Sequence, residues 1–142
     1  MNEAILREAK YGFIAGMIEG SLASVFVKKS ARGQTHIVLK IRTLPHFAPA
    51  VSLWLRDYDE EARASEHTPL WVCFMDAAAC TVLARAYDYL KSDRRREQAR
   101  LAFRYSRTLR KTGVGLTDEE KAERATIRGK LKELNSMTAV RA

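Results

Sequence analysis

The chain has 142 residues, of which 46% are hydrophobic and 30% are charged, and its formal net charge is +8. This length is enough to bury a core without disulfide bonds, and the composition excludes a low-complexity or repeat protein. No apolar segment is long enough and free enough of charge to span a membrane, so we expect a soluble, single-domain protein with no membrane partner.

The two cysteines indicate a reducing compartment. Cys73 and Cys80 lie seven residues apart in a segment that we interpret as a helix, and a rise of roughly 10 Å between them forbids a mutual disulfide. The alternative is a secretory signal, since Arg7 and Lys10 precede an apolar stretch. Acidic residues around that short stretch and two glycines within it argue against a signal, so we expect a cytoplasmic protein.

The first third of the chain predicts a helix followed by a β-hairpin. Residues 2 to 20 place apolar side chains at helical spacing, whereas polar and apolar residues alternate from His36 to Arg42, as is typical of a strand. Gly33 suits the connection to a preceding short strand, which gives a hairpin over about 21–43. Because an isolated hairpin is only marginally stable in water, it must pack against the helices or a partner.

The segment from Thr68 to Lys91 is predicted to be a central buried helix. It is apolar on nearly every side, and Thr68 and Pro69 supply the signals of a helix N-terminus. Asp76 would then be a buried carboxylate that needs an arginine or a hydroxyl as partner, because an unpaired buried charge is costly. An arginine partner from the basic segment would make part of the basic face internal.

Three further helices complete the prediction. One is amphipathic over about 50–64, one is basic over 94–111 after an Asp93 cap, and one covers 117–135 after a Thr117 and Glu120 capping box. The last has a narrow apolar stripe, so we expect it at the periphery or against another copy of the chain. The predicted fold is therefore α+β and mostly α, a compact domain of about five helices with one β-hairpin between helix 1 and helix 2.

Most of the excess positive charge lies between residues 91 and 112, which hold nine basic and two acidic residues. Seven of the nine are arginines, which suit bidentate contacts with phosphate or carboxylate groups. On a helix, five of the basic side chains form a stripe about 22 Å long, enough for several nucleic-acid backbone contacts: Arg96, Arg100, Arg104, Arg107 and Lys111. An aromatic residue on this side could stack on a base or anchor a protein contact. The candidate binding residues of this helix are Arg96, Arg100, Phe103, Arg104, Arg107, Arg110 and Lys111.

The hairpin is a second basic surface, because no acidic residue occurs between Gly20 and Leu55. Its candidate binding residues are Lys28, Lys29, Arg32, Lys40 and Arg42. The alternative for the basic helix is structural: Phe103 would pack under the hairpin or the last helix, and the arginines would pair with the acidic helix near residues 57–61.

Two residue groups could hold a metal ion, but both have simpler explanations. The acidic side chains of residues 57–61 could bind Mg²⁺, although a solvated helix face is commoner. Cys73, Asp76 and Cys80 could join a histidine, although cysteines in an apolar helix are usually core residues. The sequence has no phosphate-binding glycine loop, no dinucleotide fingerprint and no HExxH motif. We expect no catalytic set, no metal and no cofactor. The acidic residues considered are Asp57, Asp59, Glu60, Glu61 and Asp76.

The leading functional hypothesis is non-catalytic binding to nucleic acid or a nucleoprotein complex through the arginine helix, assisted by the hairpin. The alternative is a protein-docking regulator or inhibitor of a nucleoprotein machine, of the anti-restriction or anti-CRISPR type, whose basic face meets an acidic partner. A small metal-dependent enzyme is the third hypothesis. A homo-oligomer formed through 117–135 is a further expectation.

Overall fold

The structure is a computed structural model, and it describes residues 2–20, 23–44, 46–109 and 115–139. Within these ranges the chain forms five α-helices, four β-strands and two short 3-10 helices. The elements in chain order are α1 (Glu3–Gly20), β1 (Ser24–Lys29), β2 (Thr35–Arg42), α2 (Ala48–Tyr58), β3 (Glu66–Thr68), β4 (Trp71–Met75), α3 (Ala77–Ala86), α4 (Asp93–Ser106) and α5 (Asp118–Ala139). The 3-10 helices are Glu60–Ala62 and Tyr87–Tyr89.

The four strands form one antiparallel sheet in the order β1-β2-β4-β3. The β1–β2 hairpin lies between α1 and α2, but β2 also pairs with β4, so that Lys40 is opposite Cys73 and Arg42 is opposite Trp71. The predicted fold class, a mostly helical domain with a single hairpin, is therefore wrong. The hairpin gains its stability from the second pair of strands as well as from the helices.

The central helix predicted over 68–91 is also wrong. Glu66–Thr68 and Trp71–Met75 are strands, and only Ala77–Ala86 is α-helical. The run looked apolar on every side of a helix because the strand places apolar side chains on both faces of the sheet: Val72 is buried in the core, while Trp71 lies on the opposite face. The turn between the strands is fixed by Thr43 N–H, which donates to Leu70 O at 2.7 Å.

The helices cover one face of the sheet and build a single core with it. On that face, most alternate residues of β1, β2 and β4 are buried, and they pack with side chains from all five helices. Representative members are Ile14, Val25, Ile37, Leu39, Leu55, Phe74, Leu83, Leu101 and Ile127. A sheet with one face on the core and one face free is typical of antiparallel sheets.

The remaining helix boundaries differ from the predictions by a few residues. Helix α4 is capped by Ser92, whose Oγ accepts from Arg95 N–H, and not by Asp93. It ends at Ser106, so the predicted extension to residue 111 is too long where the structure describes the chain. The capping box of Thr117 and Glu120 is confirmed by reciprocal hydrogen bonds of 3.0 and 3.1 Å.

Helix α5 packs against the core through its apolar stripe. Ile127 and Leu131 are fully buried, and Asn135 Nδ2 donates to Val25 O at 3.0 Å, which joins the helix to the edge strand β1. The stripe on which a homo-oligomer through 117–135 was predicted is therefore covered by the chain's own sheet, and that oligomer stays a prediction. Across the described ranges, no helix is long and apolar enough to cross a bilayer.

Candidate nucleic-acid interface

The face of the sheet opposite the core is open and basic. Side chains on this face alternate with the buried positions of each strand, and apart from Val38 they are half-buried or exposed. Lys28, Lys40 and Arg42 supply three cationic groups from β1 and β2. They follow from the alternating pattern of the hairpin, which sends these residues to the side away from Ile37, Leu39 and Ile41.

Trp71 organises two of these cations. The Lys40 ammonium lies 4.2 Å from the Trp71 ring centroid, and the Arg42 guanidinium carbon lies 6.0 Å from it. Both distances are within the range of cation–π attraction, which restrains long side chains that would otherwise sample many rotamers. The indole therefore holds two positive charges side by side on the open face.

The centre of the open face is apolar. Val38 is only 4% exposed although no core lies on its side, because Phe26 and Met75 stand opposite it on the neighbouring strands. Cys73, on the same face, has a raised thiol pKa, because burial and the Glu66 carboxylate outweigh the opposing effect of Lys40 and Lys28. The pKa of this thiol thus responds to charged groups from three of the strands.

The predicted arginine stripe of α4 does not lie on the open face of the sheet. The N-terminal half of the stripe contacts Tyr87. The Arg96 guanidinium carbon is 5.4 Å from the Tyr87 ring centroid, and Arg96 Nε donates to Leu90 O. Arg100 Nε donates to the Tyr87 hydroxyl at 3.1 Å. Phe103 meets the same ring edge-on, with centroids 5.8 Å apart, so it packs against its own chain.

The C-terminal half of the stripe is partly engaged in an ion pair. Arg104 forms an ion pair with Glu123 of α5, and Arg107 is exposed after the end of α4. The predicted Arg110 and Lys111 lie outside the described residues. Arg95 points the other way: it is buried beside Gln98, and burial lowers the pKa of its guanidinium to about 10.

The two predicted binding surfaces are therefore separate. Leu101, Ala102 and Tyr105 of α4 pack in the core on the covered side of the sheet, so the arginine stripe faces away from the open side. Lys29 and Arg32 at the hairpin end belong to neither surface, because they line a cavity against α5. Sequence reasoning missed Phe26, Trp71 and Met75; recognising Trp71–Met75 as a strand would have found the last two.

Asp76 finds a histidine partner and not an arginine. Asp76 Oδ2 lies 2.8 Å from His36 Nδ1.

The acidic segment after α2 pairs internally as well, because Asp59 accepts from the Tyr11 hydroxyl at 2.9 Å and forms an ion pair with Arg85. Burial raises the Tyr11 hydroxyl pKa, with Arg85 and Arg7 opposing it. Among the described residues, no three His, Cys, Asp or Glu side chains are grouped closely enough to hold a metal ion.

This architecture, a four-stranded antiparallel sheet covered on one face by helices, resembles the fold of a homing endonuclease of known structure. The chain is similar to the homing endonuclease I-CvuI in complex with its target, with a TM-score of 0.65 and 14% identity over 90% of this chain and 83% of that one. I-CvuI in complex with the I-CreI target, a structure described as revealing DNA not cleaved, gives a TM-score of 0.68 and 17% identity over the same shares.

At this level of identity the similarity establishes the fold. No protein-family model matches the chain, and no curated protein matches it either.

Proposed function

We propose that this protein binds duplex DNA through the open face of its sheet. The observation that carries the proposal is the group of three cations, Lys28, Lys40 and Arg42, on the one face of the sheet that the core leaves free. The structural neighbours are complexes of the homing endonuclease I-CvuI with its target and with the I-CreI target DNA, which favours DNA among the nucleic-acid partners.

The dimensions of the open face suit a groove of B-form DNA. Adjacent strands lie about 4.8 Å apart, so the axes of β1, β2 and β4 span about 10 Å. The major groove is about 12 Å wide and admits a helix or a β-ribbon, so the central strands can approach base edges while the cations meet phosphates. The eight residues of β2 extend about 27 Å, enough to follow the groove over several base pairs.

The division of roles on this face follows from chemistry. Lys28 and Arg42 are exposed and can form phosphate contacts, which give affinity without sequence selection. Phe26, Cys73 and Met75 give the centre of the face an apolar surface, which can contact thymine methyl groups in the major groove. Lys40, restrained by Trp71, lies between these two regions and can also form a phosphate contact.

The arginine stripe of α4 stays a second candidate surface, since Arg107 and parts of Arg100 and Arg104 remain accessible. Because it lies on the covered side, one straight duplex cannot contact both surfaces. The docking-regulator and inhibitor hypotheses gain no support from the structural neighbours.

A salt series with a labelled duplex tests the proposal. Binding of a random 24-base-pair duplex, measured by fluorescence anisotropy, should weaken steeply with salt. The double variant Lys40→Gln with Arg42→Gln should reduce the slope of log K against log [salt] by about two. An undetectable interaction at low salt would overturn the proposal.

The matched control is Lys130→Gln with Lys132→Gln, which removes the same charge from exposed positions of α5. This control should change the slope much less, because only general attraction to the net charge is lost. An equal loss of slope in the two double variants would assign binding to net charge and not to the open face.

A further inference from the structure

A large cavity lies at the hairpin end of the molecule. Its volume is about 1000 Å³, and its walls are the β1–β2 connection, the start of β2 and the first turns of α5. Lys29 has the same pleat direction as the buried Val25 and Val27, so it projects toward α5. Four cationic side chains from β1, the β1–β2 connection and α5 line this space: Lys29, Arg32, Lys121 and Arg128.

A fifth cation, Arg124, lines the cavity and bonds to the protein through all three of its side-chain nitrogens. Its Nε donates to Thr108 Oγ1 at 2.7 Å, its Nη1 to Thr35 Oγ1 at 3.0 Å and its Nη2 to Thr108 O at 3.1 Å. Its guanidinium carbon lies 4.5 Å from the Tyr105 ring centroid. Arg124 therefore ties α5 to the start of β2 and to the segment that follows α4.

The other four cations have no matching anion in the described part of the cavity. Its one described acidic lining residue is Asp76, whose carboxylate is already held by His36 Nδ1 and by Ile37 N–H. Arg128 Nε is buried without a hydrogen-bond partner among the described residues. Gathering like charges and leaving a buried donor unsatisfied both cost free energy, and a bound anion would remove both costs.

We propose that this cavity binds a small, multiply phosphorylated anion, in which a chain of phosphate groups meets Lys29, Arg32, Lys121 and Arg128. A volume of about 1000 Å³ is in the range of small-molecule and cofactor sites. Arginine forks and lysine ammonium groups are the side chains that hold phosphate chains. Leu109 and Leu116 give the cavity an apolar wall that can contact a nucleoside attached to the chain.

The full chain and two probes test the proposal by isothermal titration calorimetry. Inorganic tripolyphosphate should bind with one-to-one stoichiometry, and Lys121→Gln with Arg128→Gln should weaken it by about tenfold for each removed cation. Lys130→Gln with Lys132→Gln, on exposed positions of the same helix, should leave the affinity within about twofold. No heat of binding, or equal weakening in both double variants, would overturn the proposal.

Adenosine triphosphate is the second probe. It distinguishes a site for a phosphate chain alone from a site for a phosphate chain attached to a nucleoside. Affinity equal to that of tripolyphosphate assigns recognition to the phosphates alone, and tighter binding adds the nucleoside to the ligand. Arg32→Gln repeats the test at an exposed position of the hairpin connection, where the substitution leaves the core intact. Arg32→Gln should weaken tripolyphosphate by about tenfold, and an unchanged affinity would argue against the site.

The proposal is independent of DNA binding, and the same variants show it. Lys121→Gln with Arg128→Gln should leave the duplex salt slope almost unchanged, whereas the Lys40 and Arg42 double variant should leave tripolyphosphate binding unchanged. If the cavity variant instead lowers duplex binding and not tripolyphosphate binding, the cavity is part of a DNA surface and the small-anion proposal fails.

Discussion

Asp76 Oδ2 lies 2.8 Å from His36 Nδ1, and Asp76 Oδ1 accepts a hydrogen bond from Ile37 N–H at 3.2 Å. The backbone joins the same neighbours, because Asp76 N–H donates to Ile37 O at 2.8 Å. Asp76 does this at φ 51° and ψ −119°, a conformation that L-residues rarely adopt. Its contacts with β2 therefore hold a strained junction between β4 and α3.

Replacing Asp76 separates the strain from the hydrogen bonds. Asp76→Ala loses the carboxylate contacts and keeps the strain, while Asp76→Gly loses the same contacts but relieves the strain. We expect both variants to be less stable than the parent, and Asp76→Gly to be more stable than Asp76→Ala by about 1 kcal/mol. Urea unfolding measures the difference, and an alanine variant as stable as the glycine variant would contradict the strained junction.

Glu19 at the end of α1 holds the start of α4. Its carboxylate accepts from Lys91 N–H at 3.1 Å and from both Ser92 N–H and Ser92 Oγ at 2.8 Å. Glu19→Gln removes the charge and one acceptor oxygen, so we expect a loss of about 1 kcal/mol in the free energy of unfolding. Glu8→Gln, on an exposed position of the same helix, should change stability much less and is the control.

The Glu19 contacts also predict a pH dependence. Burial raises the Glu19 pKa, but hydrogen bonds from Ser92 and Lys91 and the nearby Arg95 outweigh burial, so the folded pKa lies below the usual value of 4.5. The group therefore stabilises the fold fully above pH 4.5 and loses this contribution as the pH falls through the folded pKa. Stability curves of the parent and Glu19→Gln should converge at acidic pH; a constant gap would refute the prediction.

Binding of nucleic acid by the arginine stripe of α4 stays a prediction, and the ion pairs of the stripe suggest how to test it. Arg100 is paired with Glu97 and Arg104 with Glu123, so a phosphate must compete with these carboxylates. We expect the Arg100→Ala and Arg104→Ala double variant to reduce the duplex salt slope less than the Lys40 and Arg42 double variant does. The reverse order would move the DNA surface from the sheet to α4.

Thiol labelling reports on the open face directly. Burial raises the pKa of both thiols. The pKa of Cys80 is raised to about 12, because the Asp76 carboxylate adds to the effect of burial. Cys80 Sγ also donates a hydrogen bond to Ala102 O. Cys73, on the open face, should therefore be alkylated first near pH 8. Mass spectrometry should find one adduct that is absent in Cys73→Ser and forms more slowly with duplex present. Labelling of Cys80 first, or no protection by duplex, would contradict the prediction.

How far the sequence predicts this molecule depends on whether a pattern is local. Alternation from His36 to Arg42 marks β2, and the box of Thr117 and Glu120 marks the start of α5, because each signal lies within a few residues. The same local pattern does not reveal Trp71–Met75 as a strand. Its side chains are apolar on both faces, and the pairing with β2 that makes it a strand joins residues 29 to 37 positions apart.

The candidate site shows the same limit. Lys28, Lys40 and Arg42 were found from charge and alternation in one hairpin. The Trp71 ring that restrains two of them comes from another hairpin, and only the tertiary register places it there. Similarly, the sequence shows that α4 is rich in arginine, but pairing with Tyr87 and Glu123 emerges only from packing.

The hydrogen bond from Asn135 to Val25 O joins residues 110 positions apart in the chain. Because α5 covers the edge strand β1, the apolar side of that strand is exposed to solvent until the last helix docks. Contacts of such long range impose a large loop-closure entropy on the folding transition state. We therefore expect slow refolding for a chain of this size, and Asn135→Ala should slow refolding further while changing the unfolding rate little.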